Sequence, residues 1–599
     1  MDRRSRTILW LGYLLLLGVF AEAGKKPLLI NPNELVMDRM LRQMNETANP
    51  CLDFKNYANG RFYTSEGWSI FDDKNRKYHA LFEHLKNRAH ESGSVEELVS
   101  KMYNACQSDE KGNKKANYLE LVQPDTNLSW PQSTPDGSQW PEERFQWLVT
   151  LARLRRYGME DVFLKMSLQV DLEDRSKYTV VIQKPILVRI IFAEEWLLEM
   201  GFNRSKANFL SEDLEKLAST LNDQNENRTL RKRSTLQELE SQHGIFLKKY
   251  LEIVFDRHFS PSFQLQIVGV DYLVKLNQLI SSYNKETVAV FLMKQFTDFM
   301  SLKGTEDADY HYRCDGIVAS AMEFATNLLY EEQVLSANEL GEYHSQVPKL
   351  VEAIIKPIRK RVEANRLGLP FPKISAAKQI LSEISTNVGN MPNDKDHRRY
   401  VTDYYADLDL ESDDDFTIIH LKMCQLNTRR ELEKLDNPVS ADPTPLKEII
   451  GVVNLNTIVF SYAVLSEPFF IVRAHDVFKF SLLGGLVAYS LISVLASSDP
   501  DNCFFKAVKT LDDLDIYGEM QVDCNTEITN YQKLYHVILN LVHEAYFSPG
   551  SGFDQSQPTF TNMSVKQLFY VHAEQYNARN IFLTKSRDFV EVFNCSSSS

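Results

Sequence analysis

The sequence lacks the short motifs that mark most hydrolases and nucleotide-binding enzymes. No Gly-x-Ser-x-Gly elbow and no Gly-x-x-x-x-Gly-Lys-Ser/Thr loop occurs, which removes the usual serine-hydrolase and phosphate-loop readings. His-Glu occurs only at His90-Glu91 and His543-Glu544, and the third residue after each Glu is Ser94 or Phe547, so there is no His-Glu-x-x-His. Positive charge is short: the formal net charge is -14 and the pI near 5.5, so the surface as a whole repels nucleic acid and anionic membranes. No internal repeat is present. Apart from Ile8–Ala21 near the N-terminus, the long uncharged apolar stretch is Phe480–Ala496. Its length, serines and Gly484-Gly485 pair favour a buried helix over a span of roughly 20 residues.

What is there suffices for a large folded protein. The chain has 599 residues, 69.2 kDa and 43% hydrophobic residues, enough for at least two cores. Val95–Cys106, Leu236–Val254 and Val318–Leu335 carry apolar residues at three- and four-residue spacing and predict helices. Tyr178–Ile191 is β-branched and predicts strand, so the fold class is mainly α with minor β. Gln123–Glu143 and Asn437–Pro445 read as loops.

Arg3, Arg4 and Arg6 precede the apolar run Ile8–Ala21, and Ala21-Glu22-Ala23 follows, the pattern of a signal peptide over residues 1–23. This predicts a secreted, extracellular protein with no membrane span in the mature chain; the alternative is an uncleaved anchor of a type II membrane protein. Six Asn-x-Ser/Thr sequons, at Asn45, Asn127, Asn203, Asn227, Asn562 and Asn594, fit a secreted glycoprotein. The acidic stretch Asp403–Asp415 lacks the glycine and terminal glutamate of a calcium loop and reads as solvated. Arg231-Lys232-Arg233 reads as a basic helix start rather than a processing site.

A family resemblance rests on longer matches. Pro50-Cys51-Leu-Asp53-Phe54-Lys-Asn-Tyr57-Ala58-Asn59-Gly60 resembles the opening of neprilysin and endothelin-converting enzyme ectodomains. The likeness continues through Met102-Tyr-Asn-Ala-Cys106, Tyr312-Arg313-Cys314, Ala376–Pro392 with Val388-Gly-Asn-Met-Pro392, Asn456–Phe460, Leu465–Phe470 and Gln567-Leu-Phe-Tyr570. The resemblance implies a two-lobed, neprilysin-like ectodomain enclosing a central chamber, with a thermolysin-like catalytic lobe. On it, residues 50–405 form the N-terminal region, 406–450 an acidic connecting segment and 451–599 the metallopeptidase C-terminal region. It also implies the disulfides Cys51–Cys595 and Cys106–Cys314; on a chain-entropy account the first would stabilise by roughly 6 kcal/mol at most. The family cysteine expected at Asn59 is missing together with its partner near Asn577. Of the seven cysteines, Cys503 and Cys524 could bridge locally, leaving Cys424 free.

The family's zinc chemistry needs two histidines four residues apart on a helix, with a glutamate between them to polarise water. That place falls on Tyr489-Ser490-Leu491-Ile492-Ser493, and the third ligand and its supporting acid fall on Leu534 and Ile538. The zinc expected for the family therefore has no ligands at Tyr489, Ser490, Ser493, Leu534 or Ile538, so the expectation is no catalytic residues, no metal and no cofactor. The substrate-backbone segment is cut to Val453-Asn454 before Leu455-Asn456, and the terminal family motif is replaced by Ser596–Ser599. His536 and His543 lie about 10.5 Å apart along a helix, too far for one ion, and His79, Glu83 and His84 have the wrong spacing for an inverted motif. The sequence thus predicts a secreted pseudopeptidase that binds peptides or a secreted protein. The competing readings are an active zinc metalloendopeptidase with non-standard ligands, and a structural or transport component.

Overall fold

The computed structural model describes residues 31–595 except 62–71, 109–114, 136–137, 172, 186–187, 223–230, 302–312, 366–368, 412–413, 441, 447–449, 454–455, 498–530 and 577–586. The predicted signal peptide, Cys503, Cys524 and Ser596–Ser599 fall outside the described residues. Helices dominate, joined by two small sheets. Packing divides the chain into two units, each discontinuous in sequence: one of residues 1–70, 467–485 and 530–599, the other of 71–466 and 486–529.

The larger unit holds both sheets. Strands β1 (Lys165–Val170), β2 (Tyr178–Gln183), β3 (Arg231–Thr235) and β4 (Gln264–Val268) order as β1-β2-β4-β3, with β2 and β4 parallel and the outer pairs antiparallel. Val180, Val181 and Ile182 in the central β2 are fully buried, as expected of a strand covered on both faces. The core beneath gathers Trp130, Phe163, Leu214, Tyr250, Leu265 and Phe291, with Phe163 and Phe291 stacked at 5.2 Å. Strands β5 (Ser385–Val388), β6 (Ile450–Val453) and β7 (Thr457–Phe460) form the second sheet in the order β5-β7-β6.

Three local expectations change. Leu236–Val254 is two helices, Leu236–His243 and Leu247–Phe255, because Gly244 takes a left-handed φ of 65° and closes the first. Val318–Leu335 is likewise split, between Arg313–Ala321 and Glu323–Gln333. Arg231–Arg233 is strand, not a helix start: Arg233 donates to both Asp171 oxygens at 2.8 Å and Arg231 to Gln169 Oε1 at 2.7 Å, while Thr235 caps the following helix.

The acidic stretch is used locally. Asp407 faces Arg429 and Arg430 at 3.2 and 2.9 Å, Asp414 meets Lys422 at 2.6 Å, and Asp415 caps the helix Phe416–Leu432.

The smaller unit is helical: Pro32–Gln43, Phe54–Asn59, Asp476–Lys479, Tyr531–Phe547, Val565–Gln575 and Arg587–Val592. Cys51 and Cys595 are bonded within it, with Phe54 packed edge-on against Phe589 and Phe593. Cys106 and Cys314 are bonded within the larger unit. Cys424 is free, its thiol pushed up to about 12 by burial, which makes it inert. Among the described residues one helix, Asp476–Leu495, is long and apolar enough to cross a membrane by length and composition, but 78% of its apolar window is buried in the protein.

Candidate functional site

The segment where the metal-binding helix was expected is a helix, Gly485–Ser497, built from apolar residues. Val487, Ala488, Leu491, Ile492, Val494 and Leu495 are all buried. Tyr489 is 50% exposed and Ser493 is half-buried. Ser490 is buried, and its hydroxyl donates to the Leu486 carbonyl at 3.0 Å, the bond a serine makes inside a helix when nothing else claims it. Tyr489 and Ser493 share a face by their four-residue spacing, yet a phenol and a neutral hydroxyl are not zinc donors of the imidazole, thiolate or carboxylate kind. Zinc does not fit this donor set.

The second expected element, Tyr531–Phe547, belongs to the other unit. Ile538 is 3% exposed, a hydrocarbon in a core position; the side chains of Leu534 and His536 lie outside the described ones. His543, further along, pairs with Asp588 at 2.9 Å. Asp588 also accepts from Tyr570 at 3.0 Å and from Lys566. Burial alone would raise the Asp588 carboxyl, but the bonds from His543 and Lys566 outweigh it and hold the group well below the usual carboxylate range. His543 is thereby occupied with a structural partner.

The remaining histidine candidates are similarly placed. His79 meets Asp315 at 3.2 Å, Glu83 accepts from Tyr103 and Gln107 at 3.1 Å, and His84 is exposed. Among the described residues, no group of three His, Cys, Asp or Glu side chains is placed to hold a metal ion.

Sequence reasoning missed two buried polar centres. In the smaller unit His572 is fully buried, with Nδ1 2.6 Å from Ser481 Oγ, and burial pushes its imidazole down to about 3. In the larger unit Glu331 is shared by His397 at 2.6 Å and by the Tyr462 hydroxyl, while His397 also reaches the Pro392 carbonyl at 3.0 Å. The hydrogen bond to Glu331 raises the His397 pKa. Nearby Glu323 accepts from Asn390 at 2.8 Å and from the Leu446 amide at 2.7 Å, and burial pushes its carboxyl up to about 7. Glu323, His397 and Tyr462 border the turn Val388–Pro392, and that turn was the signal in sequence for the larger unit's centre.

The resemblance also located a missing disulfide at Asn59. There the Asn59 amide donates to the Gln575 carbonyl at 3.0 Å, and Gln575 Nε2 donates to Ala58 and Met40 carbonyls at 2.9 and 2.8 Å. Hydrogen bonds thus tie Phe54–Asn59 to Val565–Gln575. β6 forms the edge of its sheet, paired antiparallel with β7, and its continuation at Asn454-Leu455 lies outside the described residues. Of the sequons, Asn127, Asn203, Asn562 and Asn594 are exposed, Asn45 is half-buried with Oδ1 accepting from Thr47 at 2.6 Å, and Asn227 lies outside the described residues.

Comparison with known proteins agrees with this architecture. Residues 50–199 match the family model of peptidase family M13. The human protein "Membrane metallo-endopeptidase-like 1" is 22% identical over 534 residues, covering 76% of this chain and 66% of its own length. The chain thus aligns with just under two thirds of that relative. The zinc metalloprotease Zmp1 of Mycobacterium tuberculosis superposes with a TM-score of 0.65 at 16% identity, covering 93% of this chain and 96% of its own. PepO from Lactobacillus rhamnosis gives a TM-score of 0.58 at 14% identity, covering 88% and 90%. By its matched N-terminal region the chain is similar to peptidase family M13 over residues 50–199, and its fold is the one seen in Zmp1 and PepO.

Proposed function

We propose that the chain is a catalytically degenerate M13 homologue, a secreted pseudopeptidase that binds peptides or a secreted protein partner without cleaving them. The observation that carries the reading is the helical segment Tyr489-Ser490-Leu491-Ile492-Ser493, where the Ser490 hydroxyl is bonded back to its own helix, Leu491 and Ile492 are buried hydrocarbon, and Tyr489 and Ser493 offer a phenol and a neutral hydroxyl. Hydroxyl and hydrocarbon groups cannot replace two imidazoles and a carboxylate around a divalent cation. Ile538, buried as a core residue, supports the same reading for the second element.

Zinc analysis of the purified secreted chain tests it, together with cleavage of a broad peptide library with and without chelator. The expected outcome is substoichiometric zinc, no chelator-sensitive cleavage and retention of a subset of peptides. Stoichiometric zinc with chelator-sensitive cleavage would instead establish an active endopeptidase with non-standard ligands. Absence of any peptide or protein retained above background would remove the binding role.

A further inference from the structure

Net charge argues against polyanions for the molecule as a whole, but the charge is unevenly distributed. The 28-residue helix Ala337–Ala364 and the helix Phe371–Glu383 pack together as a hairpin in the larger unit, with Lys378 3.9 Å from Glu363 across the pair and Asn365 holding the turn through bonds to Leu369. Between Lys349 and Lys378 the described residues carry seven Lys or Arg against two Glu, a local excess of five positive charges on a chain of net -14.

Three of these lysines form a row. Lys349, Lys356 and Lys360 are exposed and spaced by seven and four residues, which places them on one face of the long helix at successive intervals of about 10 and 6 Å. Lys356 has no ion-pair partner among the described residues. The acids nearest in sequence are already engaged: Glu352 with Arg359 at 3.5 Å and Glu363 with Lys378.

We propose that this face binds a linear sulfated glycan. A row of ammonium groups along one helix face matches a rod-like polyanion whose charges repeat along its length, and the attraction is long-range and salt-dependent. A lipid surface fits less well. The apolar residues of the long helix, among them Val347, Leu350, Val351, Ile354, Ile355 and Ile358, are buried in the protein, so no apolar face is left to enter a bilayer interface. Phe371, 81% exposed at the turn, is a single aromatic and not such a face. The inference stands independently of whether the chain cleaves peptides.

The test uses the full secreted chain on immobilised heparin, with elution followed against salt. The triple variant Lys349→Glu, Lys356→Glu, Lys360→Glu is expected to bind about tenfold more weakly or worse, with a shallower salt dependence, because counterion release scales with the charges engaged. A control reversing the exposed Lys216, Lys232 and Lys249 to Glu changes net charge equally and is expected to keep most of the affinity. Circular dichroism checks that each variant folds, and Lys→Gln versions of the same three positions serve if the reversal does not. The proposal is overturned if wild type is not retained, if both triple variants lose affinity equally, or if phosphatidylserine vesicles or duplex DNA bind more tightly than heparin.

Discussion

Around the turn Val388–Pro392, polar side chains are taken into the protein and paired; along Gly485–Ser497, where a metalloenzyme would concentrate its polar groups, the buried positions are hydrocarbon. In the first region Asn390 donates to Glu323, His397 and Tyr462 meet at Glu331, and Asn387 donates to the Met391 carbonyl. The second offers Ser490 bonded to its own backbone. A buried polar group is tolerated only where a partner is provided, so the contrast separates a region whose geometry is specified by polar contacts from one specified by volume alone.

The sharpest way to break the contrast is at Gly389. Its φ is 76°, its amide donates to Phe460 at 2.7 Å, its carbonyl accepts from Asn327 at 2.7 Å, and a Cβ there would overlap the Tyr462 ring. Gly389→Ala is expected to cost about 3 kcal/mol or more, read as a fall in the urea midpoint. An unchanged midpoint would show that the turn is not the rigid element described.

The pH dependence comes next. Glu323 has a folded pKa of about 7, above its unfolded value, so the folded state holds the extra proton through that window. Stability from this group is therefore greatest in acid and falls as pH rises through about 7, by about 3 kcal/mol at most. Glu323→Gln is expected to flatten that segment of the stability curve between pH 5 and pH 7.5. His572 acts in the opposite sense in the smaller unit, as buried His420 does in the larger: each is held neutral when folded and costs stability as pH falls below its unfolded value. His572→Gln is expected to lessen the loss of stability between about pH 6.5 and pH 5, and an unchanged pH profile would contradict this.

The smallest effect is expected at Ser490→Ala. The hydroxyl's carbonyl partner keeps its helical bond, so the change should fall within about 0.5 kcal/mol of the wild-type stability. A large loss would mean that Ser490 faces a ligand rather than its own helix.

Much of the fold was legible from local chemistry. Helix periodicity over Val95–Cys106 falls inside the helix Val95–Ser108, and of the β-branched stretch Tyr178–Ile191 the part Tyr178–Gln183 is strand. Breaks were less legible: Gly244 ends a helix by its left-handed φ, which periodicity does not register. Arg231–Thr235 reads as polar in sequence yet is strand, paired along its length with β4, with its arginines bonded to Gln169 and Asp171 far away in sequence. At the candidate site the proposal rests on residue types alone, since no fold converts isoleucine into a ligand. The Glu331 and His572 centres were invisible because their partners lie 66 and 91 residues away.

Sequence by itself determined the inventory: which donors exist, the charge balance, the cysteines and the spacing of apolar residues, all set by covalent identity. Tertiary structure alone decided which of those groups meet. It turned Glu323 and His572 into buried groups with displaced pKa values, exchanged a missing disulfide for the Asn59 and Gln575 hydrogen bonds, and gathered lysines into a row on an acidic protein. Burial, proximity and field are properties of position, and position is fixed only when distant segments pack.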